Sequence, residues 1–241
     1  MYIENPKTKG SGIICAIPQE GLCPNKCEDC FFQSGRSYLE PLDENVPNMP
    51  PTSLAKFRVV RVNDGNDSNV ERKLVIKTAS HYPMKFYNTA IPKDLGGFDA
   101  PVVLTVNPGR MTDARWHKLV DIPLNLMFVR FRMNMWNLVL ADKVIDYYSG
   151  RDIPIVLTFM AYFNLGIPSE YGVFYTFRQR TLNSYWAITT EAWRSVMRRY
   201  EDNKWVYSCG KIEGERGTPA CRFCGNCLRE YFATMERLQK K

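Results

Sequence analysis

Apolar positions along this chain follow two rhythms. Short runs rich in β-branched and aromatic residues occur at 12–18, 57–63, 84–89, 102–107, 125–134 and 155–164, and each predicts a strand. Between them, apolar residues recur at three- and four-residue spacing. That spacing predicts helices over 69–81, 136–149 and 184–200, with a shorter one over 113–120. Helical spacing returns over 228–238. Ser68-Asn69 and Asn134 stand where they can cap the helices that follow them. Strand-then-helix alternation predicts a parallel sheet with helical cover. Six such strands suggest an α/β fold of partial-barrel type, (βα)6.

Five of the predicted strands end in asparagine, at Asn63, Asn88, Asn107, Asn134 and Asn164. Parallel barrels carry their working residues at the carboxyl ends of the strands. An amide there donates and accepts hydrogen bonds at once, although asparagine also simply starts turns. After Asn63 comes Asp64-Gly65-Asn66-Asp67, an acidic, glycine-containing turn able to receive an ammonium group. Arg130 and Arg132 alternate with Phe131 and Met133, so both arginines share one strand face. Strands covered by helices are apolar on the helix side, which turns the arginines inward.

The chain has 241 residues and 8 cysteines, and 45% of it is apolar, enough for a sizeable core without disulfide staples. No signal-peptide pattern opens it, and no run of 18 uncharged apolar residues predicts a membrane span. Reduced, metal-binding cysteines imply the cytoplasm. The net charge of +7 favours an anionic partner such as nucleic acid, although many soluble enzymes carry as much. Cys15 lies inside the first predicted strand and reads as a small core residue. His81 and His117 show no ligand spacing. Aromatics crowd the segment 166–181, where Tyr171, Phe174, Tyr175 and Phe177 stand beside Arg178 and Arg180. That segment is too long for an ordinary connection. It reads as a substrate lid, a nucleic-acid stacking platform, or packing against the barrel mouth.

The other cysteines fall into two groups. Cys23-Pro-Asn-Lys-Cys27-Glu-Asp-Cys30 follows the first strand with the spacing C-x3-C-x2-C. Thiolates hold iron–sulfur clusters, and three of them on a four-iron cube leave one iron open. Zinc sites favour two separated ligand pairs. Cys209, Cys221, Cys224 and Cys227 form the second group, enough to saturate one metal centre. Its C-x2-C-x2-C triple suits a second 4Fe-4S cluster. Its Cys-Gly steps suit a structural zinc.

The three cysteines after the first strand resemble the signature of the radical S-adenosylmethionine (SAM) superfamily. The residue before the third cysteine is commonly aromatic in that family; here it is Asp29, with Phe31 and Phe32 following. The resemblance implies a partial (βα)6 TIM-like barrel over 1–204, with 205–241 as a cysteine-rich metal-binding extension. It implies a 4Fe-4S cluster on Cys23, Cys27 and Cys30 that chelates SAM. It places Asn63, Asp64, Gly65, Asn66 and Asp67 where the family receives the methionine amino group. Thr105 and Asn107 would face the ribose or carboxylate, and Arg130 or Arg132 the carboxylate. The implied activity is reductive cleavage of SAM to a 5′-deoxyadenosyl radical, fed by an external electron donor. The substrate, small or macromolecular, is not specified by these residues. The alternative from another class is a non-catalytic, zinc-binding nucleic-acid module.

Overall fold

The computed structural model describes residues 1–27, 30, 32, 38–108, 118–163, 166–179, 184–209 and 221–240. Asp29, Phe31, His117, Asn164, Arg180, residues 113–117 of the predicted short helix and the linker 211–220 lie outside these. The strands of the main sheet are β1 (Ile13–Ala16), β2 (Val59–Val62), β3 (Lys85–Thr89), β4 (Val102–Val106), β5 (Leu126–Met133), β6 (Ile155–Phe159) and, after a smaller sheet, β10 (Val206–Cys209). The sheet runs β1-β2-β3-β4-β5-β6-β10, parallel at every pairing, and curls as a half-barrel. The smaller, antiparallel sheet has the order β7-β9-β8, from β7 (Ala161–Tyr162), β8 (Tyr175–Arg178) and β9 (Tyr185–Ile188).

The longer helices are α3 (Arg72–Ala79), α4 (Leu138–Ser149), α5 (Thr190–Arg199) and α7 (Asn226–Gln239). Single turns α1 (Leu42–Asn45), α2 (Thr52–Ala55) and α6 (Cys221–Cys224) complete the set. No helix among the described residues is long and apolar enough to cross a membrane.

Alternation along the strands divides the core in two. Ile14, Val60, Tyr87, Leu104, Val129, Phe131 and Leu157 pack under α3, α4 and α5, with Val75, Ala141, Val144 and Trp193 among the helix residues. The opposite, concave face begins with an apolar layer of Ile13, Val59, Phe86, Val103, Phe128 and Val156. Tyr231, Leu228 and Met235 of α7 cover this layer. Its seat against β1 is close. A Cβ on Gly12 would lie 2.8 Å from Leu228 Cδ1, so any larger residue there would make the leucine side chain shift.

Two predicted elements change. The helix expected over 184–200 starts at Thr190, because 185–188 pair as β9 and Thr189 caps α5 by accepting from Ala192 N at 3.1 Å. The strand expected over 155–164 ends at Phe159 and restarts as β7 in the other sheet. The cap expected at Ser68-Asn69 is not made: α3 starts at Arg72 after Glu71, with no side-chain cap, and Asn69 N instead donates to Asp67 Oδ1 at 2.8 Å in the turn ahead of the helix.

Candidate functional site

Above the apolar layer the concave face turns polar. Each next inward position carries a group that bonds: Cys15 and Arg61 are paired in register, Thr105 with Arg130, and Arg132 with Thr158, which also pairs with Cys209. Paired residues share a face, so Arg130 and Arg132 both point into the concavity, while Phe131 and Met133 join the helix-covered core. The polar layer lies toward the carboxyl ends of the strands, where the loop bearing Cys23, Cys27 and Cys30 also begins.

That loop is tied down from β1 onward. Ile17 bridges to Asn48, and Gln19 Nε2 donates to Asp67 O and Val70 O, both at 2.8 Å. The three cysteines are half-buried. Cys30 N donates to Cys27 O at 3.2 Å, and Asn25 Nδ2 reaches Cys27 Sγ at 3.2 Å. Burial pushes the Cys23 thiol up, reinforced by Asp67, Cys27 and Cys30. Burial also raises Cys27, but a hydrogen bond from Asn107 and the charge of Arg132 oppose it. Asn107, just past β4, and Arg132, on β5, therefore converge on Cys27. Arg132 is itself held below the usual guanidinium range by burial, against the pull of Cys30 and Cys27. Its Nε has no hydrogen-bond partner, and its Nη1 reaches Met160 Sδ at 3.7 Å.

The turn 63–67 is built differently from the expectation. Asn63 takes a left-handed φ of 62°, its Nδ2 donates to Ser68 Oγ at 3.0 Å, and its buried Oδ1 has no partner. Asp64 pairs with Arg61 at 2.5 Å and accepts from Asn5. Asp67 accepts from Thr89 Oγ1 at 2.6 Å and from Ala90 N at 2.7 Å. Both carboxylates are thus committed within the chain. Asn66 Oδ1 accepts from Asp67 N at 2.8 Å. Gly65 lies under the Phe32 ring, where a Cβ would stand 2.1 Å from Phe32 Cζ.

The second cysteine group meets the same concave face. Cys209 ends β10 in register with Thr158. Cys221 N donates to Lys7 O at 2.9 Å, and Asn226 Nδ2 to Ser208 O at 2.9 Å, which sets α6 and the start of α7 beside β10. A hydrogen bond with Cys224 and burial raise the Cys209 thiol. Burial raises Cys221, and lifts Cys227 to about 11, with Cys209 adding to both. Arg130 and Arg61 act in the opposite sense on Cys221 and Cys227. Arg130 Nη1 also donates to Asn88 Oδ1 at 3.1 Å. Cys15 is fully buried, and Arg61 Nη2 lies 3.3 Å from its Sγ. Arg61 was legible by the same alternation that marks Arg130 and Arg132, since Val60 and Val62 flank it in β2.

Each cysteine group offers thiol donors, with the guanidinium group of Arg132 acting on Cys27 and those of Arg61 and Arg130 on Cys221 and Cys227. Among the described residues, no three Cys, His, Asp or Glu side chains stand as a ligand set for a single metal ion. Comparison of the chain with protein-family models, curated proteins and solved structures finds no match.

Proposed function

We propose that this chain is a radical SAM enzyme built on a partial (βα)6 TIM-like barrel that β10 extends by one strand. The observation that carries this reading is the placement of C-x3-C-x2-C on the loop leaving the first strand of a curled parallel sheet, with Asn107 and Arg132 turned toward Cys27. A 4Fe-4S cluster held here and reduced by an external electron donor would supply the chemistry of reductive SAM cleavage. Cys23, Cys27 and Cys30 would hold that cluster. Asn107 would fix the Cys27 sulfur through its hydrogen bond, and Arg132 would offset the anionic charge collected there. Arg132, having no other strong acceptor, is also the better partner for a ligand carboxylate than Arg130, which is engaged by Asn88. Within the turn 63–67 Asp64 and Asp67 are already engaged, and the buried Asn63 Oδ1 is a polar atom without a partner. Trp136, Tyr162 and Tyr175 pack together behind Asn134 and keep water from that side, with Trp136 and Tyr162 rings 5.0 Å apart.

Cys209, Cys221, Cys224 and Cys227 would complete a second centre, a 4Fe-4S cluster or zinc. Four thiolates fill its coordination, so it takes no SAM. Arg61 and Arg130 favour the anionic thiolate state there, which is the state a metal requires.

The test is product formation. Anaerobically prepared, iron-loaded protein given SAM and a strong reductant should release 5′-deoxyadenosine, and Cys27→Ala should release none. Stoichiometric zinc at both centres with no 5′-deoxyadenosine would instead support the non-catalytic zinc module.

A further inference from the structure

The small sheet presents an aromatic and cationic row at the mouth of the half-barrel. Phe163 directly follows β7, Tyr185 opens β9 and Arg178 closes β8. The Phe163 and Tyr185 rings lie 5.3 Å apart, and Tyr185 is paired in register with Arg178. The other face carries Tyr162, Trp186 and Phe177, also in register. That second row does the anchoring. Asn134 Nδ2 donates to Tyr162 Oη at 2.9 Å, and Met135 N donates to Tyr175 Oη at 3.1 Å, fastening the sheet to the carboxyl end of β5. Tyr162, Tyr175 and Ile188 are buried there.

The Phe163 row takes no part in that anchoring face. Arg178 and Thr176 are exposed, and Phe163 and Tyr185 are partly so. A sheet face serving as a plain outer wall needs neither paired rings nor a cation in the same row. Flat rings beside a guanidinium are the equipment that receives a base on its face and its phosphate alongside. The whole chain carries +7, the sign such a polyanion needs. The small sheet as a whole borders the mouth, since β7 begins just past the carboxyl end of β6.

We propose that this face binds single-stranded nucleic acid, stacking bases on Phe163 and Tyr185 with a phosphate on Arg178, and so presents a nucleotide to the barrel mouth. The substrate class is then a nucleic-acid nucleotide. This inference rests on the radical SAM reading for its catalytic meaning, but not for its binding meaning.

The experiment measures anisotropy of labelled oligo-dT and oligo-rU of about 12 nucleotides, within the span of a typical single-strand site. The full-length, metal-loaded protein is used, and SAM cleavage is assayed in the same preparations. Binding of either oligonucleotide, weakened about tenfold by Tyr185→Ala as loss of one stacked base requires, supports the proposal. Tyr185→Phe should retain binding. Arg178→Ala should weaken it and lower the salt dependence by roughly one phosphate contact. Circular dichroism matching the wild type shows that each variant is folded. No binding, equal binding by Tyr185→Ala, or tighter binding of duplex than of single strand would overturn it. A protein that cleaves SAM but ignores oligonucleotides refutes the substrate class alone. One that binds them as described but never cleaves SAM refutes the enzyme reading alone.

Discussion

At the scale of single residues, the two inward arginines of β5 separate by what already holds them. Arg130 is bonded to Asn88 and acts on the second cysteine group, whereas Arg132 acts on Cys27 and Cys30 and keeps an unpartnered Nε. Arg132→Gln should therefore weaken SAM binding to the iron-loaded protein about tenfold or more, the worth of a hydrogen bond to a charged group. Arg130→Gln should change it far less. Equilibrium binding under anaerobic conditions checks both, and equal losses would mean the roles are not divided this way. The inward turn of these arginines was legible from alternation with Phe131 and Met133. The commitments of Asp64 and Asp67 were not. Arg61 stands only three residues before Asp64, but Asn5, Thr89 and Ala90 come from other segments, and a local window carries no record of them.

At the scale of elements, α7 closes the apolar end of the concavity and begins with the residues that hold Cys227. Tyr231 is 3% exposed and its ring is 6.5 Å from that of Phe86. Tyr231→Ala should destabilise the fold by about 3 kcal/mol, as large-to-small core changes do, measured by denaturant unfolding. The link between α4 and α5 is more polar. Arg199 and Tyr200 both donate to Asp142, with Arg199 Nε and Tyr200 Oη each 2.8 Å from Oδ1. The Arg199 hydrogen bond holds the Asp142 carboxyl below its ordinary range, against a partial burial that raises it. A carboxyl whose pKa is depressed by folding adds stability above its unfolded pKa and loses that stability as pH falls through the folded one. Arg199 is 51% exposed, so water screens the pair. Asp142→Asn should thus cost at most about 1 kcal/mol at neutral pH, and the difference should vanish in acid; a difference that persists below the carboxylate range would place the effect in packing instead. The strands of the main sheet were legible because β-branched runs such as Val59–Val62 and Val102–Val106 are unambiguous. β9 was hidden because Tyr185–Ile188 abuts α5, whose helical spacing extends backward over it; Thr189-Thr190-Glu191 was the capping signal that marked the boundary. β10 was missed because Val206–Cys209 is short and ends in a residue that reads as a ligand.

At the scale of the whole molecule, one concave face gathers both cysteine groups, divided by the arginines of β2 and β5. The two cysteine groups were legible from spacing. That β10 would extend the sheet beside β6, bringing Cys209 into register with Thr158, required the three-dimensional fold. The two centres should remain distinct in function. Cys224→Ala should lower metal content or turnover at the second centre while slow SAM cleavage persists at the first; loss of SAM binding with the first cluster intact would mean that the roles have been misassigned. The central claim concerns the first centre, and electron paramagnetic resonance of the anaerobically reduced protein tests it most directly. Adding SAM should change the spectrum of a cluster that depends on Cys23, Cys27 and Cys30, because on this proposal three thiolates would leave a position for the ligand. A reduced cluster whose spectrum is indifferent to SAM would contradict the account.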